Sequence, residues 1–184
     1  MSEITDQAKA QMEKSLEALA NNFLKIRTGR ANANTLADIK VDYYGVETPV
    51  TQLAGIKTPE AHLLVIEPWD KSSLSAIEKA ILNSDLGITP NNDGNAIRLP
   101  FPSPTEERRR ELVKESSALA EDAKVSVRNI RRDANNKLDR AEKDGDISED
   151  ITHREKDVVQ KLTDTYVEKI DEMLKEKEAE VMEI

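Results

Sequence analysis

Cysteine is absent from the chain, which excludes disulfides, thiolate metal sites and cysteine nucleophiles. Histidine is nearly as scarce. His62 and His153 stand far apart, neither has a partner at metal-ligand spacing, and they read as a strand-end polar residue and a solvated helix residue. Aromatic residues make up only 3% of the chain, so it offers no paired platform for stacking single-stranded bases. The glycines are scattered turn residues without a phosphate-cradling loop, and the serines lack an activating arrangement. No apolar run reaches membrane-span length, and Met1 to Asp6 lacks the basic-then-apolar order of a signal peptide. The expectation from these absences is a cytoplasmic protein that is not an enzyme and uses no metal, cofactor or membrane.

What is present is helical periodicity and charge. The chain has 184 residues, 38% of them hydrophobic, enough for one domain or two small ones. Ile4, Ala8, Met12, Leu19, Phe23 and Ile26 place an apolar stripe on a helix from about 3 to 28, with Gly29 as its stop. A second stripe is Leu112, Leu119, Ala123, Val127, Ile130, Ala134, Leu138 and Ala141, opened by Thr105 behind Pro104 and closed by Gly145. A third runs from Ile151 through Val158, Leu162, Tyr166, Ile170 and Val181 after a Ser148 cap. Three such helices can bury one another's stripes.

The segment from about 31 to 103 has a different grammar, with six of the seven prolines. Residues 39–44 alternate before Gly45, Leu63–Ile66 and Ala96–Leu99 are short apolar strands, Asn92-Asp93-Gly94 is a turn, and Leu74, Ile77 and Ile81 mark a short helix. Trp69, between Pro68 and Asp70, is expected to pack at a strand-to-helix turn. The pattern predicts an α+β protein: a three-helix bundle of residues 1–29 and 105–184, with a small inserted α/β domain of the β-α-β type over 30–104. A helix from 105 to 144 is about 60 Å long, against about 40 Å for a compact sphere of this length, so the expected molecule is elongated. Gly29, Ala31, Pro102, Pro104 and Thr105 line the two crossings. Prolines stiffen one strand of this hinge, and Gly29 is expected to loosen the other.

Net charge is −9, yet it is unevenly spread. Residues 108–140 carry ten cations against six anions, whereas residues 141–184 carry seven against fifteen. Within the basic stretch, Val127-Arg-Asn-Ile-Arg-Arg-Asp-Ala-Asn135 is an arginine island. Arg110, Lys124, Arg128, Arg132 and Asn135 project opposite the apolar stripe, with Arg131 on its flank. Lys25, Arg27 and Arg30 form a second basic group. Two readings stand: a one-sided surface for a polyanion such as structured RNA, or ordinary solvated helix faces and a cation-rich helix end. A partner-binding helical scaffold and a small-molecule enzyme built on residues 31–103 are the other classes.

Several motifs in order narrow this. Lys25-Ile-Arg-Thr-Gly-Arg-Ala31, Tyr43-Tyr-Gly45, Glu78-Lys-Ala-Ile81, Ser84-Asp-Leu-Gly87, Leu99-Pro100, Thr105-Glu-Glu-Arg-Arg109, the arginine island and Gln160-Lys-Leu-Thr163 together resemble the bacterial ribosome recycling factor family along essentially the whole chain. The resemblance implies an L-shaped, transfer-RNA-like fold and no catalysis. It also implies action on the post-termination ribosome with elongation factor G and GTP to separate the subunits. On the same grounds the bundle meets large-subunit RNA through Arg131, supported by Arg128 and Arg132, with Arg27 and Arg30 as another RNA-facing group, while the small domain faces the small subunit. The charge pattern adds Lys25, Lys124 and Arg110 as candidate RNA contacts. The expected oligomeric state is a monomer. The chain departs from the family pattern at Asp42, where glutamate is frequent, and at Pro104-Thr105, where a bulkier residue is common.

Overall fold

A computed structural model describes residues 2–26 and 28–183. The chain divides into two compact units, one made of the residues up to Thr28 together with Glu106–Glu183, the other of Gly29–Thr105.

The first unit packs three helices, α1 (Glu3–Lys25), α4 (Glu106–Lys143) and α5 (Glu149–Met182). Ser2 caps α1 by accepting the Thr5 N–H at 3.3 Å, and Ser148 caps α5 by accepting the Ile151 N–H at 3.3 Å. Between α4 and α5, Gly145 takes φ +79°. The N–H groups of Gly145 and Asp146 return to the carbonyls of Glu142 and Ala141 at 3.0 and 2.9 Å, which satisfies the end of the helix as only a left-handed residue allows.

The helix α1 stops at Lys25, short of the Gly29 that the sequence offers as a breaker. Ile26 turns extended and buries itself in the bundle core, and Thr28, also buried, donates through Oγ1 to Glu180 Oε1 at 3.4 Å. Tertiary burial ends this helix before its glycine does.

On α4 the buried positions are Leu112, Ser116, Ala120, Ala123, Val127, Ala134 and Leu138, in steps of three and four apart from one gap. Leu119 and Ile130 are only half-buried, and Ser116 and Ala120 take the inner line instead. Small residues there bring the helices close. Ser116 donates to its own helix at Leu112 O, 2.8 Å, and buried Thr163 of α5 does the same to Val159 O, 2.8 Å, so neither hydroxyl burdens the core. The bundle core forms two clusters. One contains Met12, Leu19, Phe23, Val127, Tyr166 and Ile170, and the other Ala8, Ala134, Leu138 and Val159, with Ile130 packed against both.

The second unit begins with the hairpin β1 (Lys40–Tyr43) and β2 (Val46–Pro49). Its corner needs left-handed residues, Tyr44 at φ 51° and Gly45 at φ 81°, and Asp42 Oδ1 accepts the Gly45 N–H at 2.9 Å. The short aspartate thus closes the turn from its own strand. A single turn of helix, α2 (Val50–Leu53), leads to β3 (Ala54–Glu60), β4 (Leu63–Pro68), α3 (Leu74–Leu82), β5 (Asn91–Asn92) and β6 (Ile97–Pro100). The four-stranded sheet has the order β3-β4-β6-β5 and every neighbouring pair is antiparallel. The strands expected on either side of the helix, β4 and β6, pair antiparallel, and β5, which the sequence pattern does not show, runs parallel to β4 with β6 between them. Leu64 and Ile66 of β4, Ile97 and Leu99 of β6, and Leu74, Ile77 and Ile81 of α3 make the core.

Trp69 does not join that core; it is 72% exposed. Aliphatic side chains already fill the space between sheet and helix, and the chain turns outward after Pro68 through an Asp70-capped turn.

Candidate nucleic-acid interface

The arginine island sits in the middle of α4, where both ends of the helix are several turns away and the backbone is fixed by the seam. Arg128 and Arg132 are exposed one turn apart. Arg131 lies at the register position between Val127 and Ala134, four and three residues from buried neighbours, and is half-buried. It therefore flanks the buried line of α4 level with the point where the bundle core splits into two clusters, with its charged end reaching the surface as a long basic side chain permits.

The partners of these arginines are neutral. Arg131 Nη1 donates to Gln160 Oε1 on α5 at 3.3 Å, and Arg132 Nη2 donates to Asn129 Oδ1 at 2.7 Å. Arg128 meets no carboxylate among the described residues. An amide orients a guanidinium without cancelling its charge, so the face keeps three cations for an outside anion. Nearby, Asn135 Oδ1 is buried without a hydrogen-bond donor.

Other expected contributors are placed differently. Lys124 is 14% exposed, and its ammonium lies 2.5 Å from Asp171 Oδ1 and 3.5 Å from Glu121 Oε1. The hydrogen bond to Asp171 raises its pKa above the ordinary lysine value, and its charge is spent joining α4 to α5. Arg110 is exposed but paired with Glu106 at 2.6 Å. It shares the helix face of Arg128 at a distance of about 27 Å along the axis. Lys25 ends α1 and is exposed. Arg27 falls outside the described residues. Arg30 is exposed and belongs to the second unit, so the Lys25-to-Ala31 motif is divided between the two units.

The expected hinge residues of the second unit gather at one corner. An added Cβ on Gly29, itself at φ +77°, would stand 2.7 Å from Pro104 Cδ and 3.1 Å from Pro102 O. The glycine permits a close approach rather than a loose joint. The Ala61-His62 turn holds the same corner. Ala31 N–H reaches Ala61 O at 2.8 Å and Phe101 N–H reaches His62 O at 2.7 Å. The His62 ring donates from Nδ1 to Gly29 O at 3.0 Å, a role the sequence pattern hid because all three contacts are long-range. Thr105 directly precedes α4.

These features define a class: a two-unit α+β protein whose helical unit carries a one-sided cationic face suited to a polyanion. Comparison with known proteins makes it specific. The family described as ribosome recycling factor matches residues 19–182. The ribosome-recycling factor of Geobacillus kaustophilus is 57% identical over 182 residues, covering 99% of this chain and 98% of the relative. That of Listeria monocytogenes is 54% identical over the same span and coverage. A solution structure of a ribosome recycling factor aligns with TM-score 0.74 at 41% identity, over 98% of this chain and 96% of the other. The T. thermophilus factor, seen with E. coli elongation factor G on the E. coli post-termination complex, aligns with TM-score 0.62 at 43% identity, over 98% and 97%.

The chain belongs to the ribosome recycling factor family. Its function is that of a ribosome recycling factor. Members of the family are not themselves enzymes.

Proposed function

We propose that the α4 face of Arg128, Arg131 and Arg132 is the anchor of this factor on large-subunit ribosomal RNA. The second unit, in this reading, faces the small subunit and takes up the motion driven by elongation factor G. The observation that carries it is the partnering of the island: Arg131 and Arg132 are held by amides, not carboxylates, in a chain of net charge −9. An acidic body disfavours indiscriminate coating of RNA, while one cationic face retains attraction where it fits. Lys25, Arg27 and Arg30 serve as a further RNA-facing group. Lys124 and Arg110, already paired within the chain, have less charge to offer. Gly29, Ala31, Pro102, Pro104 and Thr105 form the segment through which motion of the second unit is transmitted. The factor acts as a cytoplasmic monomer, a state supported by the burial of most of the three helical stripes within one chain. No helix among the described residues is long and apolar enough to cross a membrane.

The test is Arg131→Ala, assayed for binding to purified post-termination ribosomes and for subunit splitting with elongation factor G and GTP. Loss of one well-placed charged hydrogen bond costs about 1 to 3 kcal/mol, a five- to hundredfold loss of affinity. A folded Arg131→Ala chain that binds and splits ribosomes like the parent contradicts the assignment.

A further inference from the structure

Gln160 stands in α5 facing the arginine island of α4, within the motif Gln160-Lys-Leu-Thr163 that the RNA reading leaves without a task. Its amide is held at both ends. Oε1 accepts from Arg131 Nη1 at 3.3 Å, and Nε2 donates to Asp164 Oδ1 at 2.9 Å, one turn along the same helix. Ionised Asp164 can only accept, so it fixes which end of the amide faces it and leaves the oxygen turned to Arg131. Two further polar ties across α4 and α5 are of another kind. Lys124 meets Asp171 and Lys156 meets Asp139, each at 2.5 Å, and each neutralises its cation. At the arginine island the crossing pair is a cation and an amide.

We infer that Gln160 is a positioning residue for Arg131. It aims the guanidinium across the helix seam at an RNA phosphate or base edge while leaving the full positive charge for that contact; the inference rests on the RNA reading of Arg131 proposed above. A guanidinium has five N–H donors, and Gln160 takes one. The rest of the fork remains for the incoming anion, already oriented, so less side-chain freedom is lost on binding. Asp164 acts one step further back by holding the amide. A carboxylate at position 160 would hold the arginine as well but consume its charge.

Binding to purified ribosomes across a salt series, with single and double variants, tests this. Gln160→Met, similar in length but without the amide, should weaken binding roughly three- to tenfold and leave the salt dependence unchanged. Gln160→Glu should weaken it further and flatten the slope of log affinity against log salt by about one. Both effects should vanish in an Arg131→Ala background. Gln160 is exposed, so thermal melting of each variant should match the parent. If Arg131→Ala weakens binding and Gln160→Met weakens it again by the same factor, Gln160 acts independently and the inference falls while the RNA reading stands. A Gln160→Met chain that binds like the parent overturns it too. If Arg131→Ala binds normally, both readings fall together.

Discussion

Arg131 shows what a single residue's environment adds to its place in the sequence. Helical counting puts it on the flank of the apolar stripe, and the structure keeps it there, half-buried beside the point where the bundle core divides, where a partner on α5 holds the guanidinium. Charge pattern alone could not separate Arg131 from Lys124, because what separates them is the partner on α5, an amide in one case and a carboxylate in the other. Glu155 is a second residue whose role only the fold reveals. It accepts from the hydroxyl and the N–H of Ser2, at 2.6 and 2.9 Å, and from the Thr5 hydroxyl. These bonds, the Ser2 hydroxyl first, pull its pKa down from 4.5 to about 2. A carboxylate depressed in the folded state contributes stability that is fully present above about 4.5 and is lost as the pH falls toward 2. Glu155→Gln should therefore lower the melting temperature at pH 7 by several degrees. The gap to the parent should close as melts are repeated down to about pH 2; a gap that stays constant with pH would show that the ionised form is not what matters.

At the scale of elements, the long helices were legible because their apolar residues recur at three and four, and because Ser148 and Gly145 mark the break between α4 and α5. Of the strands, β1 shows in its alternation, and β4 and β6 show as short apolar runs. Hidden ones are β2, β3 and β5. In β3 the Gly55 and Pro59 of Ala54–Glu60 read as turn residues, yet this strand lies at the sheet edge and shifts register between Lys57 and Glu60, where a proline is tolerated. The two asparagines of β5 carry no apolar signal at all. The sequence pattern packs Trp69 at a strand-to-helix turn, and the aliphatic packing that leaves it exposed is a property of residues far away in sequence. Gly29 changes meaning most. Its left-handed φ and the 2.7 Å approach of the Pro104 ring make Gly29→Ala doubly unfavourable. The substitution should destabilise the second unit by about 1–3 kcal/mol, read as a lower denaturation midpoint. An unchanged midpoint would mean that the corner repacks without strain.

For the whole molecule, composition and spacing carried the class and the whole-chain motif order carried the family. The absence of cysteine and the scarcity of histidine pointed away from enzymes, and the uneven charge pointed to one active surface on an acidic body. Neither could choose between solvated arginines and an RNA anchor, since both place cations opposite a buried seam. The choice turns on whether the island's charge reaches phosphate, and the salt dependence of ribosome binding reads that directly. The chain carrying Arg128→Gln, Arg131→Gln and Arg132→Gln together, compared with the parent and with an Arg110→Gln control, should bind with a log-log salt slope flatter by roughly two to three, about one for each lost phosphate contact. The Arg110→Gln control, whose arginine is paired with Glu106, should stay close to the parent. A triple variant that melts like the parent and binds ribosomes with the parent's affinity and slope would contradict the account.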